Sequence, residues 1–218
     1  MVGDAPGPHL DGMSKALVLL GHAEPQSFNG RLARAYAEGF TAAGGLADVV
    51  ALSELSFDPV LRHGFAGEQP LEPDLARLRA RFEWATQVTW VFPTYWASPP
   101  AIVKAVVDRL FLPGWAFRYT GRPLPEGLLA GRASRVITTM DSPALWYALA
   151  HHRAIHGAFG RGTLRFVGFA PVQVNAIYGV RRATAPERER ELVRAARFGG
   201  TDATRRAAKR TPIARLAT

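Results

Sequence analysis

The sequence predicts an α/β fold in which one parallel, five-stranded sheet lies between two layers of helices. Two observations predict it. Short apolar runs rich in β-branched residues recur at 15–21, 47–52, 87–92, 135–139 and 170–178, and between them the apolar spacing changes to the 3.6-residue period of helices. Such alternation implies parallel pairing with right-handed crossovers. In addition, 218 residues with 48% apolar content suffice for one substantial core, most simply a single domain.

KALVLLG at 15–21 is a compact apolar run and the expected central strand. The next twenty residues turn from polar loop to helix, with Leu32, Ala33, Tyr36, Ala37 and Phe40 on one side and Ser27 as a good N-cap. A strand, a short loop and a capped helix leave free backbone N–H groups at the helix start, which suits a phosphate. Neither G-x-G-x-x-G nor G-x-x-x-x-G-K-S/T occurs there. Gly44 and Gly45 stop that helix ahead of the second strand, and residues 72–85 read as a helix with Leu75, Leu78 and Phe82 inward. The third strand, 87–92, ends at Pro93, which has no N–H for a ladder. Residues 112–131 are rich in Gly and Pro, an excursion from the sheet. A fourth strand at 135–139, a helix over 156–167 stopped by Gly168, and a fifth strand complete the alternation. T-A-P-E at 184–187 is a capping box that opens the last helix.

The loop after the third strand is unusual. It carries two large aromatics, Tyr95 and Trp96, where an ordinary connection carries small polar residues. Pro100 then suits the first turn of a helix whose apolar stripe is Ile102, Val103, Val106, Val107 and Leu110. Rings so placed want a flat partner; an aromatic core plug or a dimer contact is the structural alternative.

FPTYWASPPAIVKAVVDRLF at 92–111 resembles the FP-x-x-W-x-x-x-PA-I-x-K-x-x-x-(D/E)-R-x-F segment of the flavodoxin-like NAD(P)H:quinone reductases, and GHAEPQSFN at 21–29 resembles that family's H-x-x-x-x-S-(F/L)-N loop. The resemblance implies a flavodoxin-like three-layer sandwich with strand order 2-1-3-4-5, which gathers the loops after strands 1, 3 and 4 at one sheet edge around the switch point. It implies a bound FAD or FMN whose ring lies against Pro93, Thr94, Tyr95 and Trp96. His22, Ser27, Phe28 and Asn29 hold the flavin phosphate in that picture, and Thr138, Thr139, Met140 and Asp141 lie along the cofactor from the fourth strand. Met140-Asp141 stands where the family usually has a Gly pair, a variant seen among bacterial relatives. Phe57, Asp58 and Pro59 continue the resemblance loosely. W-A-F-x-Y at 115–119 resembles a G-F-A-Y stretch that helps form the family's dimer and its site.

The same resemblance implies an enzyme, an NAD(P)H dehydrogenase (quinone)-like flavin oxidoreductase. NAD(P)H is the donor and a quinone or similar small aromatic acceptor takes two electrons by a ping-pong mechanism. The cofactor supplies the hydride chemistry and the protein supplies orientation. Tyr95, Trp96 and Trp115 line the acceptor slot. Tyr147 and His151, spaced i,i+4 as on one helical face, are the expected catalytic pair, with Trp146 and His152 as competing registers. Asp141 has three readings: a charge beside the ring, an acceptor for flavin N3–H, or the N-cap of a helix opening near Pro143. A homodimer is implied. The alternative function is a flavin-binding regulatory or accessory subunit, like relatives that sit on potassium-efflux channels, with little turnover of its own.

The net charge of +9 invites a nucleic-acid reading, which its distribution disfavours. Residues 181–218 carry 11 basic and 4 acidic side chains, and the first 180 carry 16 and 14, so the body is nearly neutral. The expected organisation is a disordered leader at 1–13, a flavin-binding domain at 14–200 and a basic flexible tail at 201–218. No run of about 18 apolar residues and no basic-then-apolar start occur, so no membrane span or secretory signal is predicted. The absence of cysteine excludes disulfides, thiolate catalysis and Cys-ligated metals, and a cytoplasmic protein fits best.

Overall fold

A computed structural model describes residues 13–121 and 123–205. Most of the expected leader, and the tail from residue 206 onward, lie outside the described residues. Five parallel strands form the sheet: β1 (Lys15–Leu20), β2 (Leu46–Ala51), β3 (Gln87–Pro93), β6 (Ala133–Thr139) and β7 (Val172–Ile177). Their order, β2-β1-β3-β6-β7, is the predicted 2-1-3-4-5. The excursion forms its own two-residue antiparallel hairpin, β4 (Phe117–Arg118) with β5 (Glu126–Gly127), outside the sheet.

Side chains alternate across the pleat and so build two cores. On one face Leu17, Leu19, Trp90 and Phe92 pack with α2 (Pro73–Trp84), α3 (Ala101–Leu110) and a helix over Ile155–Arg165. On the other, Ala16, Val18, Leu20, Val91 and Ile137 meet α1 (Phe28–Ala42) and α5 (Ala185–Ala203). β3 is buried along its whole length, as its apolar run requires. Trp115 belongs to the first core. Its ring meets Phe82 edge-on at 5.9 Å and its indole N–H donates to Glu83 at 3.0 Å, so it is a core plug and not a wall of the acceptor slot.

Two other expectations are corrected. The helix expected over 156–167 is a π-helix, Ile155–Arg165. Gly157, Gly160 and Gly162 weaken its α preference, and its buried residues, Ile155, Phe159, Gly160 and Leu164, recur at the wider spacing of an i→i+5 helix. The boundary expected at residue 200 falls inside α5. Asp202 is buried there, 2.6 Å from Arg135 of β6, and accepts from the Tyr36 hydroxyl at 2.8 Å. Buried between Arg135 and Tyr36, with Arg205 also 3.2 Å away, this charge belongs to the body, because a carboxylate is held inside a fold only by such partners. Among the described residues no helix is long and apolar enough to cross a membrane.

Candidate functional site

β3 and β6 end side by side, with Pro93 opposite Thr139. Beyond that point the chain is stitched together by short bonds. Thr94 N–H donates to the Thr139 carbonyl at 2.7 Å, the Thr94 and Thr138 hydroxyls lie 2.7 Å apart, and the Asn29 amide donates to the Thr139 hydroxyl at 3.1 Å. The loops after β1, β3 and β6 are thereby joined at one sheet edge. A cavity of about 550 Å³ opens there, between residues 93–97 and residues 139–142, with His151 and Val180 closing it.

The aromatic loop is a tight reversal. Tyr95 and Ser98 exchange both backbone hydrogen bonds, at 3.0 and 2.9 Å, and the two residues between them, Trp96 and Ala97, have φ of 50° and 60°. Two positive φ values in a two-residue turn are the type I′ pattern, normally filled by Asn-Gly. A bulky residue there costs on the order of 1–2 kcal/mol, and strain of this kind collects at functional sites. Trp96 is 99% exposed and Tyr95 53% exposed, so the indole has no partner among the described residues. Met140, only 6% exposed, and Asp141 form the facing wall.

The first loop serves α1. Ser27 accepts from Gly30 N–H at 3.3 Å as the predicted N-cap, and Glu24 N–H donates to His22 Nδ1 at 2.9 Å. Phe28 lies under the Arg188 guanidinium at 5.6 Å. Among the described residues no acceptor meets the backbone N–H groups of Phe28 and Asn29, which leaves the first turn of α1 with its orphan donors. His22, Ser27 and Phe28 stand off the cavity wall; Asn29 is tied to it through Thr139. A flat ring over the 93–97 turn with a phosphate toward α1 fits these residues: an unpartnered indole, two strand ends and free N–H donors converge on one edge.

Tyr147 and His151 do not share a helical face. α4 (Ala144–Leu149) stops before His151, and the chain reverses at His152 and Arg153, both left-handed with φ of 46° and 52°. Their rings still meet edge-on at 6.2 Å. His151 reaches the cavity, whereas Tyr147 is fully buried beneath it, its hydroxyl accepting from Ile155 N–H at 3.0 Å. Burial raises the Tyr147 pKa. The competitors Trp146 and His152 stay off the cavity wall. His156 is a partner that the spacing did not reveal: Nδ1 lies 3.4 Å from the Tyr147 hydroxyl, and burial, then Arg153 and Arg161, lower its pKa.

Asp141 does not cap α4, whose N-cap is Pro143 without a side-chain bond. Its carboxylate accepts from Arg181 N–H at 2.7 Å and so braces the turn after β7. The 57–59 segment is also away from the cavity; the Asp58 carbonyl accepts from Arg109, a buried cation 2.9 Å from Glu72.

A sequence model of the flavodoxin-like fold matches residues 14–197. The chain belongs to the flavodoxin-like family. Among the similar relatives of this flavodoxin-like chain, NAD(P)H dehydrogenase (quinone) 1 of Cavia porcellus is 27% identical over 208 residues, 83% of this chain and 74% of the relative. An FMN-dependent NADH:quinone oxidoreductase of Bordetella avium is 37% identical over 68 residues, 31% of this chain and 34% of its own. Among solved structures, an NAD(P)H:quinone oxidoreductase from Methanothermobacter marburgensis superposes with a TM-score of 0.74 at 22% identity, over 86% of this chain and 98% of that one. The expected resemblance to flavodoxin-like NAD(P)H:quinone reductases is borne out by the family match and by the curated relatives.

Proposed function

We propose that the chain is a flavin-dependent NAD(P)H oxidoreductase that reduces a quinone or similar flat aromatic acceptor. The observation that carries this reading is the exposed indole of Trp96, held in a strained turn beside an open cavity at the switch point of the sheet. The quinone-reductase names of the curated relatives support it.

A flavin, FMN or FAD, bound there supplies two-electron transfer from NAD(P)H to the acceptor, each taking its turn over the same ring in a ping-pong sequence. Pro93, Thr94, Tyr95 and Trp96 form one side of its seat, and Thr139, Met140 and Asp141 the other. Thr138 sits below, fixing Thr94. The α1 start, with Ser27, Phe28, Asn29 and the nearby His22, offers its N–H groups to the flavin phosphate. His151, in the cavity wall, is placed to give a proton to the acceptor; buried Tyr147 positions His151 and the start of the π-helix.

The acceptor slot is completed by a second copy of the chain. Leu145, Trp146 and Leu149 of α4 are 60–70% exposed next to the cavity, an apolar surface that a homodimer covers. A cytoplasmic location, where NAD(P)H is at hand, completes the reading.

The test is the absorbance spectrum and mass of the chromophore released by denaturing the purified protein, with steady-state oxidation of NADPH and NADH by menadione. A bound flavin with turnover is expected. A bound flavin without turnover would favour the accessory-subunit reading, and no flavin under loading conditions would overturn both.

A further inference from the structure

A second cavity, of about 710 Å³, opens beside the first and shares Asp141 with it. Its walls include Tyr178, Gly179, Arg181 and Arg182. Both arginines are exposed, and among the described residues neither guanidinium pairs with a carboxylate. Their neighbours on α5 are engaged: Arg188 donates to the Val180 and Ala183 carbonyls, and Arg190 pairs with Glu187. The turn that presents the two free guanidinium groups is fixed from several sides. Asp141 holds Arg181 N–H, Arg188 holds the Val180 carbonyl at 3.0 Å, and Gly179 takes the left-handed φ of 65° that lets the chain leave β7 sharply. Tyr178, 37% exposed, adds an aromatic face.

We propose that this annex binds the 2′-phosphate of a phosphorylated nicotinamide dinucleotide and makes the enzyme prefer NADPH to NADH. The inference rests on the oxidoreductase reading above. Two guanidinium groups on a rigid turn match a phosphomonoester, which carries close to two negative charges at pH 7 and accepts paired hydrogen bonds from arginine. A neutral quinone has nothing for them. The flavin phosphate has its own donors, the Phe28 and Asn29 N–H groups at the α1 start, which Arg188, over the Phe28 ring at 5.6 Å and bonded to the Val180 carbonyl, joins to the annex turn. A donor whose nicotinamide reaches the first cavity past Asp141 can therefore leave its adenosine end in the second, against Tyr178.

The holoprotein and its Arg181→Ala/Arg182→Ala variant are compared for KM with NADPH and with NADH, and both are titrated calorimetrically with adenosine 2′,5′-bisphosphate and with 5′-AMP. The substitution leaves the Arg181 N–H bond to Asp141 in place. The expected result is a rise of about tenfold or more in KM for NADPH, a rise of less than threefold for NADH, and tighter binding of the bisphosphate than of 5′-AMP by the parent protein alone. Equal changes for the two donors, no change, or loss of flavin with unchanged KM values would each overturn the proposal. If neither donor is oxidised, the oxidoreductase reading fails on its own, and the bisphosphate titration still decides whether the annex takes a 2′-phosphate.

Discussion

Asn29 and Thr139, 110 residues apart, exchange a buried side-chain hydrogen bond: the amide donates to the hydroxyl at 3.1 Å, and the hydroxyl lies 3.2 Å from the Asn29 oxygen. The bond pins the first turn of α1 to the end of β6, and the same Thr139 holds Thr94 through its carbonyl. The three loops of the site are thus one mechanical unit.

Removing either partner leaves the other buried and unsatisfied. Asn29→Ala and Thr139→Val are each expected to lower stability by about 1–2 kcal/mol, measured by urea denaturation. The double variant should lose less than the sum of the two, since the second substitution breaks nothing further. Strict additivity would show that the two side chains act independently.

Asp141→Asn separates charge from hydrogen bonding. The carboxamide oxygen can still accept from Arg181 N–H, so the melting temperature should fall by no more than about 4 °C, the shift for roughly 1 kcal/mol in a domain of this size. Removing a negative charge beside the ring is worth roughly 1 kcal/mol for a partly screened pair, which at about 30 mV per 1.4 kcal/mol raises the two-electron midpoint of the bound flavin by about 20 mV. Redox titration against a dye of known potential reads this directly, and an unchanged midpoint removes Asp141 from the electrostatics of the site.

His156 makes stability depend on pH. Burial, with Arg153 and Arg161 nearby, depresses its folded-state pKa below the ordinary 6.5. Between the depressed value and 6.5 the unfolded chain binds more protons than the folded one, so this contribution is complete above pH 6.5 and is lost as the pH falls through that window. The urea midpoint should drop between pH 7.5 and pH 5.5, and the drop should be smaller in His156→Gln. An equal drop in both proteins would assign the acid sensitivity to other groups.

The sheet was legible because β3 is apolar on both faces and the helices carry explicit start signals, Ser27 for α1 and Thr184 with Glu187 for α5, both formed as read. The two motif loops converged because strand order alone places them at one edge. What was not legible depends on tertiary geometry. Tyr147 and His151 lost their shared face because the chain reverses at His152 and Arg153, residues with no sequence signature for left-handed backbone. Asp141 finds its partner 40 residues on, across the end of the sheet, where no local spacing points. Trp115 looked like a slot wall because aromatic content cannot tell a core plug from an exposed ring; its bond to Glu83 on α2 decides the matter.

Trp96 offers the sharpest separation of folding from function. Its indole is 99% exposed and makes no ring contact among the described residues, so Trp96→Ala removes no packing there. Alanine keeps the same left-handed strain, and the melting temperature of the flavin-free protein should stay within about 2 °C of the parent, since surface changes lie within roughly 0.5 kcal/mol. Flavin affinity should weaken, because stacking and apolar burial of the ring are worth on the order of 1–3 kcal/mol. Both quantities come from one preparation, by thermal unfolding of the flavin-free form and fluorescence titration with FMN and FAD. Size-exclusion chromatography adds the third reading. If the variant keeps its flavin affinity but dissociates, the indole is a contact between copies of the chain and the ring must be seated elsewhere in the cavity.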